Sequence, residues 1–576
     1  MDSLERSMGR QISRRAMLRV VTLGGAATLV AACAPAPAAA PPAAPTAAPK
    51  AESKPAESKP AAPAAAAPTT AAAPAAPAAA AKPTEAAKPV AAAPAVATKS
   101  AGEIKIGLSA EPNSFDPHLT VGRNSQIFVA NVFDGLTARD EKANVIPALA
   151  TEWKPLDGGG GWQFKLRQGV KFHNGDEFNA ESVKFTVERA TNPETKSTIS
   201  SEMATIAGVD IVDPYTVNIR TKQADIMLPN RLGELYGGML SPKHTAATDP
   251  ASLATKPNGT GPYRLTEWAK NERLVLEANP DYWRGPAPVG KLTVRPILED
   301  AARIAALQTS EIDFVAGVPY ERIEELKGNS NLLVKTVATP RVFFVAIDPR
   351  QKPFDDVRVR QALNHAVDSE AIVKSLYLGY AKRLATVVST AGTGYDASVQ
   401  PYPYDVAKAK SLLAEAGYPN GFSTEFDAFT GSIADHSKAA EAIAEFLRKA
   451  GIDAKLNMFE FGAFGPRRVA NQVSPLHIYS IGDAYFEPAW VIKWMQQQNL
   501  GLFYRNQEIY DLATKAEGTF DVEERKKIYS EIQTKLKDDA GFIFLFQNEA
   551  VFAMNKKVQY EPRPDETQWF YAMKQA

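Results

Sequence analysis

Trp162-Gln163-Phe164-Lys165-Leu166-Arg167-Gln168-Gly169-Val170-Lys171-Phe172-His173-Asn174-Gly175 alternates bulky apolar residues with polar ones from Trp162 to Leu166. It breaks at a glycine, alternates again from Val170 to Phe172, and stops at an Asn-Gly pair. Period-two alternation is the pattern of a half-buried strand, and Asn-Gly is turn chemistry. Trp162, Phe164, Val170 and Phe172 therefore read as core or sheet surface, and His173 as a support for the turn. Upstream, the glycine run 158–161 between Trp153 and Trp162 predicts a flexible hairpin connection.

Working outward, Ile104, Ile106 and Leu108 alternate with polar or small residues and predict a first strand, so order begins near Glu103. Residues 181–190 and 301–308 read as helices, and 209–212 with 216–219 as strands joined at Asp213-Pro214-Tyr215. The second half is richer in helix. Residues 353–376 carry an amphipathic pattern. The helices 407–416 and 439–450 stop at Gly417 and Gly451, and 523–537 forms another. Strands are expected at 342–347, 456–459 and 542–546. Mixed strands and helices with frequent crossovers make this an α/β protein, with no internal repeat.

The 576 residues carry 65 Lys+Arg against 65 Asp+Glu, so the basic excess that nucleic-acid binding requires is absent. Cys33 is the only cysteine, which excludes an intramolecular disulfide and a zinc site built on several cysteines. It ends an apolar run. Arg10, Arg14, Arg15 and Arg19 precede an uncharged stretch from Val20 to Ala32, shorter than the roughly 20 apolar residues of a membrane-spanning helix. Residues 1–33 therefore read as a signal peptide. Ser13-Arg14-Arg15-Ala16-Met17-Leu18-Arg19 resembles a twin-arginine export motif, although a Sec route stays open. Leu29-Val30-Ala31-Ala32-Cys33 resembles a lipobox, with Cys33 the site of lipidation. Residues 34–102 are almost wholly Ala, Pro, Lys, Thr, Glu and Ser, a composition that cannot build a core and reads as a disordered tether. Fully extended as polyproline, at about 3.1 Å per residue, it would reach on the order of 200 Å.

Five segments, in order, carry a resemblance. They are Phe115-Asp116-Pro117; Ile146-Pro147-Ala148-Leu149-Ala150 followed by Trp153 and the opening stretch; and Gly259-Thr260-Gly261-Pro262-Tyr263 with Asn279-Pro280-Asp281-Tyr282-Trp283. Then come Pro353-Phe354-Asp355-Asp356-Val357-Arg358-Val359-Arg360-Gln361-Ala362-Leu363, ending in Ala366-Val367-Asp368, and Tyr404-Asp405 leading to Leu412-Leu413-Ala414-Glu415-Ala416-Gly417. From Glu103 to the C-terminus the chain resembles the extracellular solute-binding proteins of the peptide/nickel class, family 5. The resemblance implies a two-lobed, periplasmic-binding-protein-like α/β fold (type II, cluster C) with a hinge and an interlobe ligand cleft. Residues 103–341 would form the first lobe, 342–539 the second, and 540–576 the return to the first, with hinge crossings near 339–342 and near Ala540. It further implies a monomeric, lipid-anchored, extracytoplasmic substrate-binding component of an ABC importer. That component would capture a di- or oligopeptide, or alternatively an oligosaccharide, and dock closed on a membrane permease, with no catalysis, cofactor or resident metal.

In peptide-binding members a Gly-Asp of the second lobe anchors the peptide's amino terminus, and Gly482-Asp483 occupies that region. Asp483 is the candidate amine anchor; capping a loop is its other reading. Tyr485, Phe486 and Trp490 are candidate ligand contacts, against a reading as core that Trp490 and Trp494, four apart, also fit. The chain departs from the family in lacking a tryptophan before this motif and in carrying Glu487-Pro488 where Asp-Pro is usual. Arg358, Arg360 and Asp368 read as helix-surface or lobe-internal ion pairs rather than ligand contacts.

Other chemistries find little support. Gly285-Pro286-Ala287-Pro288-Val289-Gly290-Lys291-Leu292 lacks the final Ser/Thr of a phosphate loop, and its prolines remove backbone donors. His118, His173, His244, His365, His436 and His477 are scattered without metal-site spacing, and no Gly-x-Ser-x-Gly elbow is present. An exported hydrolase of peptides or glycans, and a sensor presenting its bound state to a membrane receptor, are the readings of other classes; cleavage by pure protein would mark the first.

Overall fold

The computed structural model describes residues 100–120, 122–233, 237–430, 436–496 and 502–576. The export segment, Cys33 and the tether up to residue 99 lie outside the described residues. Among the described residues no helix is long and apolar enough to cross a membrane.

Strand β1 (Ala101–Leu108) buries Ile104, Ile106 and Leu108, the residues whose alternation predicts it. β2 (Ala150–Pro155) and β3 (Gly161–Leu166) are the hairpin around the glycine run. β4 (Ile206–Asp213) and β5 (Thr216–Thr221) are a second hairpin, and the four form an antiparallel sheet in the order β2-β3-β5-β4. Helix α1 (Ala180–Thr191) starts at a capping box in which Asn179 and Ser182 satisfy each other's backbone amides. Its Val183, Val187 and Ala190 share one core with Phe164, Leu166, Val217 and Ile219 of the sheet. β6 (Tyr263–Ala269), β7 (Arg273–Ala278), β8 (Val289–Pro296), α2 (Asp300–Gln308) and β9 (Phe314–Ala316) complete this part of the chain.

The long strand β10 (Leu332–Ile347) leads into a second group of elements. The amphipathic run 353–376 is two helices, α3 (Val357–Ala366) and α4 (Ser369–Leu376), because Val367 is extended and Asp368 caps α4 by accepting the Ala371 amide at 2.9 Å. α5 (Val406–Glu415), β11 (Phe422–Thr430), α6 (His436–Lys449), β12 (Ile452–Glu460) and β13 (Leu476–Gly482) follow. α5 and α6 end at Gly417 and Gly451, whose φ values of 93° and 95° suit glycine. α7 (Pro488–Met495), α8 (Gln507–Gly518) and α9 (Val522–Asp539) precede the last long strand, β14 (Phe542–Asn555).

One sheet threads both groups in the order β12-β11-β13-β10-β14-β9-β1-β8-β7-β6. Its two ends serve different cores. Phe343, Val345 and Ile478 face α3 and α6 on one side of the β10–β13 region, while Val342 and Phe344 face α7, α8 and α9 on the other. Ile104, Ile106, Leu274 and Val294 build the core at the opposite end with Phe552 and Met554. The molecule thus has two lobes, joined by β10 and β14.

These two strands pair with each other across the junction. Leu332–Ala338 lie opposite 549–555 and Val342–Ala346 opposite 542–547, with a shift of register between Ala338 and Val342. Thr339 spans the irregularity by donating its hydroxyl to the Asn548 carbonyl at 3.1 Å. A bulge bends its strand and increases the local twist, so the strand can leave one core and enter another. The second crossing therefore falls in β14 near 547–549, not near Ala540. Ala540 is the left-handed C-cap of α9, φ 46°, and the chain stays in the second-lobe core through Phe546. The helix ends there, but a strand of the same lobe follows it.

Candidate functional site

β11 runs parallel to both β12 and β13, so Thr430, Glu460 and Gly482 end at one edge of the sheet. In open sheets with parallel strands, ligands are taken at the carboxyl edge. The loop leaving β13 there carries Asp483, Tyr485 and Phe486 before α7 begins at Pro488, and Trp490 follows in the first turn of that helix.

Asp483 opens the loop. Its amide donates to the Pro340 carbonyl at 3.2 Å, tying the loop to the bulged part of β10. Its carboxylate accepts the amides of Tyr485, at 3.0 Å, and of Glu487. The residue is 3% exposed. Burial pushes its carboxyl up to about 7; the amide bonds and Arg139 oppose the rise, and the negative Glu487 adds to it. Glu487 itself is turned away, accepting the Tyr529 hydroxyl at 2.7 Å and facing Arg525 at 3.3 Å. Among the described residues no Lys or Arg forms an ion pair with Asp483.

The rest of the loop is held by the first lobe. Glu202 accepts the Tyr485 hydroxyl at 2.7 Å and the Trp490 indole N–H at 3.1 Å. Asn230 donates to the Tyr485 carbonyl at 3.0 Å. Arg139 donates to the Ala484 carbonyl and, at 2.6 Å, to the Asn230 side-chain oxygen, while its guanidinium lies 5.0 Å from the Phe486 ring. Met227 packs with Ala484 and Tyr485 in a small apolar cluster between the lobes. Phe486 has φ 57°, a left-handed conformation that costs an aromatic residue ~1–3 kcal/mol and persists because both its neighbours are fixed.

A second contact lies beside the first. Glu517, at the end of α8, pairs with Lys493 of α7 and sits 3.8 Å from Arg231 of the first lobe, which also pairs with Asp225. The Glu517 carbonyl accepts the Ile226 amide at 3.1 Å. Burial raises the Glu517 carboxyl, against the pull of Lys493 and Arg231.

The structure brings Asp483, Tyr485, Phe486 and Trp490 together, with Tyr485 and Trp490 at 5.4 Å, edge to face. Both of these rings are directed to Glu202. Trp494 lies apart from them, stacked on Tyr479 at 6.1 Å inside the second lobe. His173 links the Asn-Gly turn to the Gly261 carbonyl at 3.0 Å. Arg358 pairs with Asp356 and Arg360 with Asp539, both within the second lobe. Glu202, Arg139, Asn230 and Arg231 carry no motif in the sequence; they reach the site from about 250 to 350 residues away, a juxtaposition that only the fold creates.

The sequence from residue 144 to 501 matches the family model "Bacterial extracellular solute-binding proteins, family 5 Middle". The chain belongs to this family. It is 32% identical over 476 residues to the glutathione-binding protein GsiB of Salmonella typhi, covering 80% of this chain and 91% of that protein. It is also similar to the GsiB of Escherichia coli (strain K12), with 30% identity over 478 residues, covering 80% and 91%. Among solved structures, the periplasmic binding protein DppA from Helicobacter pylori in complex with the peptide STSA superposes with a TM-score of 0.75 at 27% identity, covering 82% of this chain and 98% of that one. The oligopeptide-binding protein AppA from Bacillus subtilis, in complex with a nonapeptide, gives 0.72 at 26% identity, covering 82% and 99%. These relatives are binding proteins, and the two lobes of this chain are those of a periplasmic binding protein.

Proposed function

We propose that this protein is the substrate-binding component of an ABC importer, that it captures a peptide between its lobes, and that Asp483 receives the peptide's amino terminus. The observation that carries the reading is the state of Asp483: a buried carboxylate at the carboxyl edge of the parallel strands, beside the hinge, raised by burial and paired with no Lys or Arg among the described residues. An ammonium brought there would form a charge-assisted hydrogen bond and relieve the cost of burial. The names of the relatives support a peptide ligand, and glutathione, a tripeptide with a free ammonium, is the first compound to test. Phe486 would line the same subsite, with Tyr485 and Trp490 behind it.

Export through the segment 1–33 and lipidation at Cys33 would hold the protein on the outer face of the membrane. The tether would let the lobes sample solvent near their permease. Native mass spectrometry of the full chain carrying Cys33→Ser, purified without denaturation, tests the ligand class. Peptide masses, or retention of added glutathione that is lost in Asp483→Ala, are expected. A co-purifying glycan with no retention of peptide would overturn the peptide reading.

A further inference from the structure

The ligand site gives several of its side chains and carbonyls to partners on the opposite lobe, and one carboxylate receives two of its aromatic rings. Glu202 precedes Met203, a core residue of the first lobe, so its backbone is fixed there. Its carboxylate reaches across the lobe boundary to the Tyr485 hydroxyl and the Trp490 indole. Trp490 belongs to α7 and Tyr485 to the loop beginning at Asp483, so one acceptor fixes both the loop and the first turn of the helix after it. Neither ring can keep its bond once the lobes separate, because both donors sit on one lobe and the acceptor on the other.

We infer that Glu202 is a positioning residue for ligand capture: it completes the wall of the ligand site from the opposite lobe and holds the lobes closed through contacts that the protein makes with itself. The inference rests on the interlobe site proposed above, but its mechanics need no ligand. The closed arrangement is favoured by two hydrogen bonds to a carboxylate, by the Met227–Ala484–Tyr485 cluster, and by the Arg231–Glu517 approach beside them. Closure is therefore populated in ligand-free protein, and ligand adds to a latch already present. A hydrogen bond to a charged group is worth enough to shift such an equilibrium about tenfold or more.

The test is a distance measurement by pulsed electron spin resonance. The full chain carries Cys33→Ser, so that spin labels at Lys154→Cys in the first lobe and Lys410→Cys in the second, both exposed, are the only thiols. Native mass spectrometry verifies that the protein is bare of ligand. The parent should show mainly the short, closed distance. Tyr485→Phe, which removes one donor and keeps the ring, should raise the open-to-closed ratio about tenfold, and Glu202→Ala should raise it further. Glu202→Gln, which keeps an acceptor oxygen, should recover part of the closed population, a rescue that a loss of folding would not show. Identical distance distributions in the parent, Tyr485→Phe and Glu202→Ala would overturn the inference, as would a parent that is wholly open. Because no ligand is present, a negative result here leaves the peptide reading to its own experiment, and failure of peptide binding leaves this one standing.

Discussion

Replacing Asp483 with asparagine isolates the electrostatic cost of the proposed ligand site. The carboxyl sits at about 7 in the folded protein against an ordinary 3.8. A carboxyl raised by folding holds a proton that the unfolded chain gives up, so folding loses stability as pH rises from about 4 and stops losing it above about 7. At ~1.4 kcal/mol per pH unit the interval is worth ~4 kcal/mol. Asparagine keeps an oxygen for the Tyr485 amide and cannot ionise. Ligand-free Asp483→Asn should therefore match its parent near pH 4.5 and exceed it by a few kcal/mol at pH 8, read as a higher urea midpoint. Binding should move the opposite way. A peptide ammonium needs the ionised carboxylate, so affinity for a peptide with a free amino terminus should fall about tenfold per pH unit below 7, and binding near pH 6 should release close to one proton. Calorimetry in two buffers of different ionisation heat counts that proton. An N-acetylated peptide should bind weakly and without this pH slope. A variant no more stable than the parent at pH 8, or a free-amine peptide whose affinity ignores pH, would refute the assignment.

Other outcomes follow from the contacts within each lobe. Burial holds His477 at about 4 and His118 at about 3, both below the ordinary 6.5; their contribution to stability is complete above pH 6.5 and is lost as pH falls toward those values, ~3 kcal/mol or more each. In an Asp483→Asn background, which removes the opposing titration, His477→Leu should flatten the fall in urea midpoint between pH 6.5 and 4. Arg360 is buried and binds the Phe354 carbonyl and both the carbonyl and carboxylate of Asp539, so Arg360→Ala should cost ~3–5 kcal/mol of stability in urea unfolding. Gly451, at φ 95°, should lose ~1–2 kcal/mol on replacement by alanine, measured in the same way.

The sequence was most legible where the cause of structure is local. Alternation located β1 and β3, and glycines at positive φ located the ends of α5 and α6. The five motif segments led to the family, and Gly482-Asp483 to the loop at the carboxyl edge. What it could not disclose depends on distant partners. The family resemblance implies a lobe boundary near Ala540, yet the following strand is committed to the second lobe by Phe542, Phe544 and Phe546, which the sequence alone assigns to no lobe. Glu202 is one polar residue in an unremarked turn until Tyr485, 283 residues later, arrives beside it. Of the two tryptophans four apart, Trp494 packs inside its lobe, while the Trp490 indole bonds to Glu202 across the lobe boundary.

The pairing of β10 with β14 across the junction constrains how the lobes can travel. Two separate linkers would permit sliding, shear and rotation in any direction. A hydrogen-bonded antiparallel ribbon resists bending in its own plane and stretching along its length. It yields mainly by twisting and by flexing out of plane, most readily where the register shift between Ala338 and Val342 has already loosened the ladder. Any path between open and closed lobes would then lie close to a single swinging arc, one that brings the loop at Asp483 back to the same first-lobe residues.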